Sequence, residues 1–442
     1  MTVHRLVNLG FIAALAVAGT ASGADWPMFM GDARHAGHVS GAGLDPATLH
    51  LAWRFDTRSE IRASPVVAGG VLFAGAENGN LYAIDLATRK LRWLYHAAGG
   101  ISSTPAVAGG VVYFLSRDGL LHAVGAADGA PRWRFRTQGE AVFSTFGMYG
   151  APLEDGPFAD PWDFYLSSPL VHDGKVYVGS SDQRVYALDA ASGKLAWTYK
   201  TGGMIHSSPA LAGPNIVVGS WDGAVVALDA ASGALRWRYQ TETEQQQSIM
   251  LGVQASPTAD RDTVYIGSRD GHLYALDAAS GALKWRYDAK GAWIAGTAAQ
   301  DEDSVYVGTS DTNLLLALDK HDGHERLRVD MRTWTFASPL RVGTLLVGAS
   351  MKGELRVLDA ASGRQRWSYR TDESAADAFG ILAADGKFDT ARLYAGGPHA
   401  LQSALEHVKR LGAFIASPLW HDGQLIAANA NGEILFFECA AK

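Results

Sequence analysis

The chain has 442 residues, 48% of them hydrophobic and 19% charged, a balance that suits a folded soluble protein and excludes extensive disorder. A net charge of −7 speaks against general nucleic-acid binding, which needs clustered Lys and Arg to neutralise phosphates. The 50 glycines point to many tight turns, and the single Cys439 cannot form an intramolecular disulfide.

Residues 1–24 combine a weakly basic start (His4, Arg5), the apolar run FIAALAVAG and the small residues Ser22 and Ala24 before Asp25. This is the pattern of a cleaved secretory signal, too short and wrongly flanked for a membrane span. With no cysteine near the cleavage site, no lipid anchor is expected, and the mature protein is expected to be periplasmic or secreted. Residues 25–50 form a lead-in that opens with the aromatic segment WPMFMGDARHAGHV. Its Arg34, His35 and His38 read as solvated or capping groups, because a metal needs three or four converging ligands. No metal site is expected.

Residues 51–57, LAWRFDT, look like the last strand of a repeat whose first strands are missing. A complete repeat runs from Ser168 to Gly202. After Ser168-Pro169 come a short apolar run, two alternating runs (KVYVGS and RVYALD) around a SerAspGln turn, and a run ending in TrpThrTyr after the turn DAASG. Each run has the length and the β-branched or aromatic content of a strand. Four antiparallel strands in about forty residues cannot bury both faces of their own sheet, so such a unit needs neighbours on either side. The spacing Ala187, Asp189, Ser192, Gly193, Trp197 returns at Ala227, Asp229, Ser232, Gly233, Trp237 and at Ala275, Asp277, Ser280, Gly281, Trp285.

Counting Ser/Thr-Pro strand starts gives Ser64, Thr104, Ser168, Ser208, Ser256, a degenerate Thr297-Ala298, Ser338 and Ser417. The closing strands agree, with structural tryptophans at Trp53, Trp93, Trp133, Trp197, Trp237, Trp285 and Trp367, and Leu327 in the remaining place. The expected architecture is an all-β, eight-bladed β-propeller of four-stranded antiparallel blades over 51–442. Residues 417–438 supply only three strands, so the strand 51–57 is expected to complete that blade and close the ring without a free edge. In the shared motif the Asp carboxylate accepts backbone N–H bonds of its turn, Gly takes a positive φ, and the indole fills a gap between neighbouring sheets.

This repeat resembles the pyrroloquinoline-quinone-type propeller family, found in quinoprotein alcohol dehydrogenases and in the scaffold subunit of the outer-membrane β-barrel assembly machinery. Resemblance to the dehydrogenases would imply a quinone held between a tryptophan and an adjacent-cysteine disulfide, a metal bound through Glu, Asn and Asp, and an Asp base. The chain has no cysteine pair, and no motif matches that carboxylate set. The closer resemblance is to the assembly scaffold, which implies a non-catalytic exported protein with a protein partner in the cell envelope. It is expected to be monomeric, with no catalytic residue and no cofactor. A pyrroloquinoline quinone site with calcium, serving an alcohol or sugar dehydrogenase, is the alternative, and a periplasmic small-ligand carrier is a second.

Two insertions break the rhythm, at about 138–166 and 372–412. Long insertions on repeat scaffolds sit on one face and carry binding. The first is rich in aromatics and glycine; its Glu154, Asp155, Asp160 and Asp163 read as a solvated acidic loop. The second ends in a run where Leu401, Leu405, Val408 and Leu411 recur at helical spacing, predicting a helix over or beside the ring. The smaller extension TETEQQQSIM reads as an exposed loop. The positions just before the Ser/Thr-Pro steps should line the channel mouth, with a polar arc of Arg62, Ser102, His206 and Gln254 and an aromatic arc containing Trp293 and Trp334. Such a mouth would suit a flat anionic or carbonyl-bearing ligand. On the neighbouring turns, Trp221 and Arg269 are expected to be exposed and to form a partner-binding patch.

Overall fold

The computed structural model describes residues 25–41, 43–242, 252–397 and 399–440; the expected signal segment 1–24 and most of TETEQQQSIM lie outside them. Its strands form eight sheets of the propeller type, each built in meander order from the channel outward. Blade one shows the pattern: Val66–Ala68, Val71–Gly75, Asn80–Asp85 and Lys90–His96 pair antiparallel in that order. The middle strands are buried on both faces, which is why they carry runs such as Val71, Leu72, Phe73 and Ala74. The outer strands alternate, one face on the next blade and one in water.

Blade eight consists of Leu419–His421, Gln424–Ala428, Glu433–Cys439 and, from the other end of the chain, Leu49–Asp56. Trp53 stands opposite Phe436 in the register, and the two rings stack with centroids 3.5 Å apart. Trp367 of blade seven donates its indole N–H to Leu49 O at 3.0 Å. Elsewhere the corresponding acceptor is a carbonyl on the next blade's turn: Trp93 to Ala126, Trp133 to Ala190, Trp197 to Ala230, Trp237 to Ala278 and Trp285 to Lys320. Glycine is required beside these indoles. At Gly233, with φ +74°, a Cβ would stand 2.6 Å from the Trp197 ring. Blade one has Arg89 at the equivalent place, itself at φ +57°, with its guanidinium over Trp53.

The Ser/Thr-Pro steps make a belt around the axis. The backbone N–H of Ser64 donates to the Thr104 hydroxyl, Thr104 to Ser168, Ser168 to Ser208 and Ser208 to Ser256. Thr297 continues to Ser338, Ser338 to Ser417, and Ser417 back to Ser64. Proline follows because its own position needs no donor there.

The lead-in passes beneath this belt, at the end of the channel opposite the mouth. Trp26 bridges to Val67 of blade one, and the carbonyls of Pro27, Ala33, Arg34, Ala36 and Gly37 accept from Val107, Leu211, Ala259, Gln300 and Arg341. His38–Val39 then adds a parallel strand to blade seven. His35 is therefore not solvated as expected. It is 2% exposed, with Nδ1 2.8 Å from the Pro257 carbonyl and an edge contact to Phe29, because the strap that carries it is pressed onto the inner strands. The axial space between this strap and the mouth is only about 30 Å³, room for a water or so.

Burial lowers the His35 pKa to about 4, against an ordinary 6.5. The unfolded chain then takes up the proton first as pH falls below 6.5, and folding loses free energy until about pH 4. The expected loss is about 2 kcal/mol at pH 5 relative to pH 7. Urea unfolding at the two pH values checks this: His35→Gln should remove this share of the dependence, while His122, also lowered by burial to about 4, keeps its own.

Candidate functional site

Both insertions lie over the mouth. In the first, Ser144–Phe146 and Pro157–Ala159 form a hairpin, and the segment 160–166 then crosses the ring. Tyr165 Oη donates to Ile415 O of blade eight at 2.9 Å, and Leu166 N–H reaches Ser102 O of blade two. In the second, α1 (Asp372–Ala376), α2 (Thr390–Leu393) and α3 (Ala400–Arg410) follow blade seven. Thr371 and Asp389 cap the first two through side-chain oxygens. Leu405, Val408 and Leu411 are buried as their spacing predicts, packed into one apolar cluster with Trp162, Phe164, Trp334 and Phe336. Leu401 is half-buried.

Under this cover the polar arc is fully engaged with the chain itself. Arg62 bonds Glu60 at 2.9 Å, and Lys409 of α3 reaches the same carboxylate at 3.0 Å. Ser102 donates to Glu77 at 2.5 Å and accepts from Arg117 Nε at 2.9 Å. His206 contacts Asp163 through Nδ1 and Ser181 through Nε2, both at 2.7 Å. Gln254 donates to Trp162 O and accepts from Arg269. The place foreseen for an anionic ligand is thus held by the chain's own carboxylates, Glu60 and Glu77 of blade one at Arg62 and Ser102, and Asp163 of the first insertion at His206.

Trp221 and Arg269 do not form an exposed patch. They are 4% and 1% exposed, since the insertion covers their turns. Phe143 stacks on Trp221 at 4.1 Å, and Arg269 lies between Trp221 (4.5 Å) and Trp293 (4.4 Å). The Arg269 guanidinium is paired with Asp160 at 2.5 Å, a carboxylate that also accepts from Tyr149 Oη and Trp162 N–H. Asp160 and Asp163 are accordingly buried, not solvated: each neutralises a cation that the ring places at the mouth. Sequence reasoning named these two acids only as part of a solvated loop, and it missed Phe143 and Trp162 as their neighbours at the mouth. The signal available was an acid-bearing aromatic insertion next to a mouth rich in unpaired cations.

The His206–Asp163 pair sets a second pH dependence. Burial alone would lower His206, but the Asp163 carboxylate and its hydrogen bond outweigh it and raise the pKa above 6.5. Burial would raise Asp163, but His206 and the Phe143 N–H outweigh that and lower it below 3.8. The His206 contribution is complete below 6.5 and fades as pH rises through the raised value; the Asp163 contribution is complete above 3.8 and fades in stronger acid. The clasp is therefore tightest between about pH 4 and 6.5. Limited proteolysis within 138–166 should accelerate from pH 6 to pH 9, and His206→Gln should remove that pH dependence.

On the aromatic arc, Trp334 and Phe336 belong to the buried cluster, and Trp334 together with half-buried Trp293 also lines an open cavity of about 420 Å³. Among the described residues, the one cluster with metal-ligand spacing is Asp319, Asp322 and His324, on an outer turn of blade six away from the mouth. The chain offers no cysteine pair to wall a quinone. The sole cysteine, Cys439, sits in blade eight with its Sγ against the Asp45 N–H, and the mouth position is filled by Trp162 and Asp163.

A family model described as outer membrane protein assembly factor BamB matches residues 36–150, 161–292 and 269–397. No curated protein matches. Among solved structures, BamB from Moraxella catarrhalis aligns with a TM-score of 0.62 at 18% identity, covering 89% of this chain and 98% of that one. A quinohemoprotein alcohol dehydrogenase from Comamonas testosteroni aligns with 0.70 at 16% identity, covering 96% and 82%. The computationally designed Ika8 protein aligns with 0.62 at 13% identity, covering 87% and 97%. An assembly factor, an enzyme and a designed protein share this fold, so the fold alone does not select an activity.

Proposed function

The chain belongs to the outer membrane protein assembly factor BamB family, and from that premise we propose that it is an exported, non-catalytic scaffold of the cell envelope that binds a protein component of outer-membrane protein assembly. The observation that carries this reading is the self-occupied mouth, in which Asp160 and Asp163 take up Arg269 and His206. A quinone cofactor would need open space at the mouth, and on this side Trp162 and Asp163 take it up. The exposed side of the same insertion supplies contact surface, with Phe146 60% and Leu153 67% exposed. Among the described residues no helix is long and apolar enough to cross a membrane.

Two measurements test the reading. Titration with pyrroloquinoline quinone and calcium, followed by tryptophan fluorescence, should give no saturable quenching; metal-dependent saturation would replace the scaffold with the dehydrogenase alternative. Cross-linking of the tagged protein in intact envelopes should recover an assembly component, and Phe146→Asp with Leu153→Asp should reduce that yield about tenfold, the scale of two apolar hot-spot residues. Undiminished cross-linking would move the contact elsewhere on the ring.

A further inference from the structure

The polar half of the mouth is saturated by internal partners, whereas the cavity on the aromatic half is not. Tyr149 and Trp162 reach it from the first insertion, Trp293 and Trp334 from blades six and seven, and Tyr394 from the second insertion. The Trp334 and Tyr394 rings stand 6.5 Å apart at 32°, forming one corner of a box. Its volume of about 420 Å³ suits a small molecule.

The charge in this box is negative. Among the described residues Asp311 is the only charged one in the lining; it accepts from the Ser310 hydroxyl at 3.0 Å and has no ion-pair partner among them. The basic side chains nearby are already committed, Arg269 to Asp160 and His399 to Asp155 at 3.1 Å. The Tyr394 hydroxyl has no hydrogen-bond partner among the described residues. Burial first, and the Asp311 carboxylate second, keep it protonated far above neutrality, so it remains a donor and acceptor at the cavity wall. Aromatic faces attract cations through their quadrupole, and a carboxylate at the rim adds a counter-charge; an anion would meet both with repulsion. Arg269 already covers one face of Trp293, and Tyr149, Trp162, Trp334 and Tyr394 supply further aromatic surface to the lining.

We propose that this cavity binds a small organic ammonium ion with a flat or aromatic body, its charge against the rings and Asp311. This reverses the polarity expected from Arg62 and His206 in the sequence, because those cations are neutralised internally. The binding is independent of the scaffold role, and its test uses the purified chain without a partner, so either reading can fail while the other stands.

The test is a charge series on one body: 2-phenylethylamine, 2-phenylethanol and phenylacetate, each titrated into the full chain at pH 7 and followed by tryptophan fluorescence and calorimetry. The amine should saturate at least about tenfold more tightly than the alcohol, and phenylacetate should be weakest, a spacing of one charge interaction. Asp311→Asn should weaken the amine about tenfold and leave the alcohol unchanged; this side chain is exposed, so the variant folds. Tyr394→Leu should weaken the amine with circular dichroism unchanged. Equal affinity across the series, no saturation by the amine up to 10 mM, or an unaltered amine affinity in Asp311→Asn would each overturn the proposal.

Discussion

Arg269→Ala should destabilise the protein by about 3–5 kcal/mol, the cost of leaving a buried carboxylate without its partner. Asp160 has no route to water, since neither side chain of this pair is exposed. The loss extends beyond one ion pair. Arg269 also holds Gln254 and fills the slot between Trp221 and Trp293, so its removal opens a stack that begins at Phe143. Asp160→Asn alone should cost a comparable amount by stranding the guanidinium. The double variant Arg269→Met with Asp160→Asn should cost much less than the sum, because two apolar or neutral groups of similar volume need no counter-charge. Urea unfolding gives the free energies, and protease sensitivity within 138–166 shows where the loss is local. A cost below 1 kcal/mol for Arg269→Ala would mean that water reaches Asp160.

The second large effect is expected at the ring closure. Trp53→Ala should cost about 3–5 kcal/mol, as for other packed indoles. The strand Leu49–Asp56 is joined to blade eight by its ladder with Glu433–Cys439 and by packing of Trp53 and Phe55, the latter edge-on to Tyr82 of blade one. The Trp53 indole N–H is buried without a partner, so truncation there forfeits packing and no hydrogen bond. Cys439 reports on the same joint, because it faces Leu49 in the register and its Sγ lies against the Asp45 N–H. Trp53→Ala should therefore speed alkylation of Cys439 under native conditions, while Trp197→Ala, equally destabilising but three blades from the joint, should not. Equal alkylation rates in both variants would show that the ring opens elsewhere.

Much of the fold was legible in the chain. The Ser/Thr-Pro steps mark the hydroxyl belt, and the spaced tryptophans mark the wedges whose N–H groups reach the next blade. The lone strand at 51–57 also implied its pairing with Phe436, since an incomplete blade leaves an unpaired edge. The mouth residues were legible as positions only. Ser102, His206 and Gln254 stand where their repeat phase puts them; Ser102 finds its partner on a repeat turn, at Glu77, yet His206 and Gln254 are held from an insertion with no repeat phase. Trp221 and Arg269 went from expected exposure to full burial for the same reason: a turn is exposed only if nothing covers it, and the covering acid lies 109 residues away in sequence.

The sequence by itself determined the blade count, the closing joint and the stabilising indoles, because those follow from contacts that repeat at fixed spacing and need only a neighbouring copy. Only the tertiary structure decided which mouth charges are neutralised, that the strap 26–39 closes the far end, and that an aromatic cavity with one unpaired carboxylate remains. Those outcomes depend on the path of unique segments across the ring, and the energy of a buried charge depends on whatever that path brings within a few ångströms of it.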